Sequence, residues 1–277
     1  MRKFNDFSKS LFIAIGVLSS FVSILWAFFS KTLNPLVNKC PWGYLFILLF
    51  MASIYALYAN RTKRKIQLKL SEKVRAKVYF GDLFESEEII VIPVNEYFDT
   101  VVDEKIISSN TIHGKFIQKF FGGNEAELKK QIKKELTRYE TLESNLERKS
   151  GNKNKYPLGT VCEVKNGSKI FYLLALTKFN SNHRSEVKNS EYQRVLCDLF
   201  SYIEQNSQGR KVSIPLIGAG HSGVTLSKQK LLEFLLFSIA LKDDLTLING
   251  IDIVLHDSIK KDTDLSSTEI LFKTIGS

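Results

Sequence analysis

Three places in the chain end an apolar run on residues able to hold a ligand. Ile214–Val224 reads IPLIGAGHSGV, with Gly218, Gly220 and Gly223 inside six positions and an amphipathic segment close behind. Glycines let a backbone approach a ligand closely, and successive N–H groups ahead of a helix N-terminus cradle an anion such as a diphosphate. Lys77–Phe80 (KVYF) ends at Gly81-Asp82, where a carboxylate would accept hydrogen bonds from a ligand. Glu88–Val94 (EIIVIPV) ends at Asn95, whose carboxamide both donates and accepts. Each has a plainer reading. The glycines could serve only a sharp strand-to-helix turn, Asp82 could cap a turn, and Asn95 could be a satisfied loop residue. His113 and His221 have no acid or base partner at readable spacing, so they are candidate ligand contacts and no residue is assigned a catalytic role.

For these residues to meet, strands must alternate with helices. Lys77–Phe80, the continuous apolar run Glu88–Val94, Val212–Ile217 and Ile251–Leu255 predict strands. Asn110–Phe121, Glu125–Lys149 (Leu128, Ile132 and Leu136 on one face), Glu186–Asn206 and Ser227–Leu241 predict helices. Thr160–Lys165 and Lys169–Leu176 flank Asn166-Gly167, a hairpin signal. The expected fold is α/β, a mixed, mostly parallel sheet covered on both faces, with ligands at the carboxyl ends of its strands. Asp82, Asn95 and Gly218–Val224 all fall at such ends.

The N-terminal quarter is of another kind. Ser10–Ser30 and Cys40–Asn60 carry no charge, and each has roughly the ~20 residues a membrane-crossing helix needs. Residues 1–60 are therefore expected to form a transmembrane hairpin with spans at about 10–30 and 40–60. The short loop Lys31–Lys39 contains Pro35, and Trp26, Trp42 and Tyr44 lie near the span ends that face it. Ser19, Ser20 and Ser23 are small enough to let helices pack closely. Arg2, Lys3 and Lys9 precede the first span, and Arg61, Lys63, Arg64, Lys65 and Lys69 follow the second. That bias predicts a multi-pass membrane protein with both termini cytoplasmic. Residues 61–77 read as a basic linker lying on anionic lipid headgroups, its IQLKL alternation open to strand or helix, and 78–277 as the cytosolic domain. The net charge of +10 is local: residues 1–77 hold 13 basic and 2 acidic side chains, leaving 26 and 27 in the rest, so nucleic acid is not expected as a partner. Cys40, Cys162 and Cys197 are far apart, without a metal or disulfide pattern. Cys162 and Cys197 are expected to pack as small apolar groups in a reducing compartment.

Taken in order, YFGDLF, IIVIPVN and IPLIGAGHSGV resemble the three signature segments of a macro domain, over about residues 76–260. The resemblance implies a three-layer α/β/α sandwich whose Asp82 recognises an adenine amino group, whose Asn95 contacts the distal ribose, and whose loop of Gly218, Ala219, Gly220, His221, Ser222, Gly223 and Val224 wraps a diphosphate. It adds Thr111 and His113 at the distal end. Hydrolytic macro domains usually carry a glycine run after the Asn-containing loop. Here that region reads Ser108-Ser-Asn-Thr-Ile-His-Gly114, which favours a reader of a modified ADP-ribose; the alternatives are a membrane-anchored ADP-ribosyl hydrolase and a scaffold that binds ADP-ribosylated proteins. A two-span hairpin joined to such a domain resembles the membrane effectors of bacterial Thoeris anti-phage defence. In that family a TIR-domain enzyme turns NAD into an ADP-ribose-derived messenger, and the effector binds it, self-associates and compromises the membrane. No cofactor or metal is implied.

Overall fold

In the computed structural model, residues 2–39, 41–59, 63–179, 185–220, 223–242 and 244–275 are described. They form two compact units, Met1–Thr62 and Lys63–Ser277. The first is a helical pair, α1 (Arg2–Lys39) and α2 (Pro41–Ala59), packed on each other. Ala14, Ala52 and Ala56 are buried, as small residues at a close helix contact should be. The serines act within their own helix, since Ser20 Oγ donates to the Gly16 carbonyl and Ser23 Oγ to that of Ser19, both at 2.9 Å.

Two details of the hairpin differ from expectation. Lys31–Lys39 is helical, and the interruption falls instead at Phe29 (φ −121°, ψ 23°). Among the described residues one helix segment, Ser8–Lys31, has the length and composition to cross a membrane. The apolar stretch of α2, Trp42–Tyr58, is shorter, at about 25 Å against the ~30 Å of a hydrocarbon core. Cys40 and Asn60, the expected bounds of the second span, lie outside the described residues.

The larger unit runs β1 (Lys65–Lys69), β2 (Val74–Phe80), β3 (Ile89–Asn95), α3 (Ile112–Phe121), α4 (Glu125–Leu136), β4 (Glu143–Ser144), β5 (Asn154–Lys155), β6 (Val161–Asn166), β7 (Lys169–Phe179), β8 (Ser185–Glu186), α5 (Asn189–Asn206), β9 (Val212–Pro215), α6 (Lys228–Ala240), β10 (Leu247–Leu255) and α7 (Leu265–Ile275). The main sheet has the order β1-β2-β10-β9-β3-β7-β6, with β8 paired to β7. Its five central strands β2, β10, β9, β3 and β7 are parallel, while β1 and β6 are antiparallel edges.

The continuous apolar run of β3 needs cover on both faces, and both are covered. Ile89 and Val91 face a core built with α5, α6 and α7. Ile90, Ile92 and Val94 face a second core with Phe116 of α3 and Leu128, Ile132 and Leu136 of α4. The result is the expected three-layer α/β/α sandwich.

Three further expectations change. The segment read as a linker, 61–77, carries β1 and most of β2, so the larger unit begins at Lys63. The helix expected over Glu125–Lys149 ends at Leu136, where its buried stripe ends, and a small β4–β5 hairpin follows with Leu142 and Leu146 exposed. Cys162 is buried, which pushes its thiol pKa up, whereas Cys197 is exposed because it falls off the α5 stripe of Val195, Leu196, Leu199 and Phe200.

Candidate functional site

All five parallel strands end on one cavity of about 620 Å³, within the usual range for small-molecule sites. Along the carboxyl edge its wall takes Gly81 and Asp82 after β2, His256 and Asp257 after β10, Leu216 to Gly220 after β9, Asn95 from β3, and Thr177 and Phe179 from β7. At ~4.8 Å per strand this row is about 19 Å long. Ile106 to Ser108 and the start of α3 close one side.

Each strand end is tied down locally. Gly81 N–H donates to the Leu255 carbonyl at 2.9 Å, joining the β2 and β10 ends. Asp82 caps a single turn, Leu83–Glu85, by accepting from Phe84 N–H at 2.9 Å, and its exposed carboxylate lies 3.9 Å from Lys119 Nζ. His256 Nδ1 accepts from Ser258 N–H at 3.2 Å. Asp257 meets Arg64 at 3.3 Å.

Asn95 is buried, and its Oδ1 accepts from the N–H of Tyr97 at 3.0 Å while Nδ2 donates to Asp99 at 3.0 Å. One N–H of that amide has no partner among the described residues. The fully buried Asp99 takes two bonds from the Arg148 guanidinium, at 2.9 and 2.7 Å, and one from Asn152 N–H at 2.7 Å. Arg148 also covers the Tyr97 ring at 4.0 Å. The next residue, Glu96, is buried with its carboxyl pKa raised by desolvation, against the opposing pull of Lys155.

Thr111 is the N-cap of α3: its Oγ1 accepts from Gly114 N–H at 3.0 Å and donates to the Ser108 carbonyl at 2.7 Å. A Cβ on Gly114 would stand 2.2 Å from that same carbonyl, so only glycine lets the helix start against the 108–109 backbone. His113 is buried in the cavity wall. Desolvation holds its pKa down at about 3, with a bond to the Asp99 backbone opposing, so the ring is neutral at ordinary pH.

In the glycine loop, Gly218 is left-handed (φ +83°), and a Cβ there would sit 3.2 Å from both Tyr192 and Val224. Tyr192 Oη donates to the neighbouring Ile217 carbonyl at 2.9 Å, which holds the strand end over α5. Gly220 is exposed with nothing within 4 Å of an added Cβ. Lys228, in the first turn of α6, donates its ammonium to the Ala219 carbonyl and sets a cation beside the loop.

The cavity thus has carboxylates at one end (Asp82, Asp257), a glycine loop with a fixed cation mid-row, and Asn95, His113 and Phe179 at the other end. Carboxylates accept from an amine, the loop suits an anion, and the amide and aromatic suit a polar ring. Seven sequence-predicted residues line the wall: Asp82, Asn95, Thr111, His113, Gly218, Ala219 and Gly220. Gly223 and Val224 do not, Val224 packing instead against the core beside Gly218. His221 and Ser222 lie outside the described residues. Reasoning from sequence missed His256, Asp257, Phe179 and Lys228; the first two follow a strand that had been recognised, so their position alone could have flagged them.

This sheet order with a cavity across five parallel strand ends defines a macrodomain. Two solved structures share the fold. The Oceanobacillus iheyensis macrodomain with ADP superposes with a TM-score of 0.53 at 11% identity, covering 76% of this chain and 97% of that one. A mutant of that macrodomain with ADPR gives 0.51 at 13% identity over 77% and 100%. Residues 76–256 match the family described as Thoeris protein ThsA, Macro domain, and the chain belongs to that family. A relative, Thoeris protein ThsA of Bacillus amyloliquefaciens (strain Y2), is 32% identical over 165 residues, which is 57% of this chain and 54% of that protein. The match thus spans about half of that relative's length.

Proposed function

We propose that the protein is a membrane-anchored effector of Thoeris anti-phage defence whose cavity binds an ADP-ribose-derived messenger. The observation that carries this reading is the row of strand ends, in which carboxylate, glycine loop and amide succeed one another along about 14 Å from β2 to β3. That order matches base, diphosphate and distal sugar. Family membership supports the defence role, and the ADP and ADPR of the two macrodomain structures support the ligand class. In this reading the messenger comes from a TIR-domain NAD-consuming partner.

The protein acts as a reader and does not turn the ligand over. Supporting this, the stretch after the Asn95 loop, Ser108-Ser-Asn-Thr-Ile-His-Gly114, holds the start of α3 through the Thr111 cap, where a hydrolase would have a glycine run. The apolar segment Ser8–Lys31 anchors the chain in the inner membrane, and α2 is a second, shorter span with both termini cytoplasmic. One apolar hairpin cannot line an aqueous pore, so membrane disruption requires several chains to assemble, and the ligand drives assembly by binding the assembled state more tightly. The test is calorimetry of the full chain in detergent micelles with ADP-ribose, followed by mass spectrometry of the recovered ligand. Binding with intact ligand is expected. Failure to bind would overturn the ligand assignment, and turnover at substoichiometric protein would make the protein a hydrolase.

A further inference from the structure

The ribbon formed by β1 and β2 has one face in the core and one in solvent. Ile66, Leu68, Val74, Ala76 and Val78 point into the core beneath α7. The register pairs Lys65 with Tyr79, Gln67 with Lys77, and Lys69 with Arg75, so these six side chains share the opposite face. On β10 that face continues with Asp252, level with Lys77, and then with Val254, which lies in the core under α3 and α4. The helical layer therefore stops short of the ribbon. Lys65, Gln67, Lys69 and Arg75 are exposed, and Lys77 is half-buried.

Four of the six residues on this face are cations. Two carboxylates accompany them. Glu72, almost fully exposed, meets Lys69 at 2.5 Å, and the buried Asp252 lies 3.9 Å from Lys77 and 3.1 Å from Lys211. Lys65 and Arg75 pair with no carboxylate among the described residues. Strand alternation has thus sorted the basic run onto one flat face, although residues 78–277 carry nearly balanced charge. Only five residues, 60–64, separate the last residue of α2 from the first of β1.

We infer that this face is a docking surface for anionic lipid headgroups, which hold the larger unit flat against the bilayer. The inference rests on the reading of the N-terminal helices as a membrane anchor. Lipid is favoured over nucleic acid because the basic ribbon directly follows an apolar helical unit and because the rest of the larger unit lacks a basic excess. Juxtamembrane cations each contribute about fivefold to the bound-to-free ratio at an anionic surface.

The test is amine-reactive footprinting of the full chain, read by mass spectrometry, in nanodiscs of phosphatidylcholine alone or mixed with phosphatidylglycerol. Lys65, Lys69 and Lys77 are expected to react at least tenfold more slowly in the anionic discs, with Lys153 and Lys242 unchanged as internal references. In the double variant Lys69→Gln/Arg75→Gln the docked-to-free ratio falls about 25-fold, so protection of Lys65 and Lys77 is lost. Equal reactivity of the three lysines in both discs overturns the proposal while leaving the anchor reading intact. Failure of the chain to enter either disc overturns both. Protection by a short DNA duplex in neutral discs, without protection by phosphatidylglycerol, reassigns the face to nucleic acid.

Discussion

Replacing Gly220 by Glu separates the role of the glycine loop in binding from its role in folding. Gly220 is exposed, is not left-handed, and has no atom within 4 Å of an added Cβ, so the substitution carries no steric cost. The new carboxylate would stand at the cavity wall beside the proposed diphosphate and would compete with it for Lys228, which is bonded to the neighbouring Ala219 carbonyl. Two unit charges about 4 Å apart repel by ~1 kcal/mol in water and ~4 kcal/mol at the effective dielectric of a protein surface. Affinity for ADP-ribose should therefore fall by roughly fivefold at the least and about a thousandfold at the most. Calorimetry on the full chain in micelles reads the affinity, and the thermal unfolding midpoint should stay within a degree or two of the parent. Gly220→Ala should bind like the parent. A Gly220→Glu protein with native stability and unchanged affinity would show that the loop is only a turn and that no anion lies beside it.

His113 makes stability depend on pH. Its folded pKa of about 3 lies below the 6.5 of the free side chain, so the unfolded state takes up the proton first, and stability present above pH 6.5 is lost as pH falls toward 3. Between pH 6.5 and 5 the loss should approach ~2 kcal/mol. Glu96, with its raised pKa, contributes in the opposite sense, so the His113 share is the difference between the parent and His113→Gln in urea titrations. Identical pH slopes in the two proteins would refute it. For the buried pair, Arg148→Met should cost about 3 kcal/mol, the low end for breaking such pairs, because Asn95 and Asn152 still hold the Asp99 carboxylate. Adding Asp99→Asn should recover part of that loss; a strictly additive double variant in the same titrations would mean that the two side chains do not act together.

Where an element has one dominant physical requirement, the sequence shows it. A run such as IIVIPVN has no polar face and can only be a doubly covered strand, and Asn166-Gly167 between two such runs can hardly be anything but a hairpin. Edges are harder to read. KIQLK alternates like a half-buried strand, but five residues beside a basic run do not separate an edge strand from a linker. The helix expected after Glu125 runs past Leu136, where the stripe of Leu128, Ile132 and Leu136 ends, and the structure leaves Leu142 and Leu146 beyond it exposed. Nothing local links Asp99 to Arg148, 49 positions away, since that pair exists only once the β4–β5 hairpin folds over the end of β3.

In this site one residue can serve structure and ligand at once. Asp82 caps a turn through Oδ1 and keeps Oδ2 at the open edge of the cavity. Asn95 spends its carbonyl and one N–H on the loop beneath it, and Thr111 spends its hydroxyl on the start of α3. A side chain locked in this way is already in place when a ligand arrives, so little conformational entropy remains to be lost on binding. The same economy makes alanine substitutions poor probes, because Asp82→Ala or Asn95→Ala would remove a structural bond along with any ligand bond. Gly220, with no structural duty and open space around it, is the position where a change in affinity reports on the ligand alone.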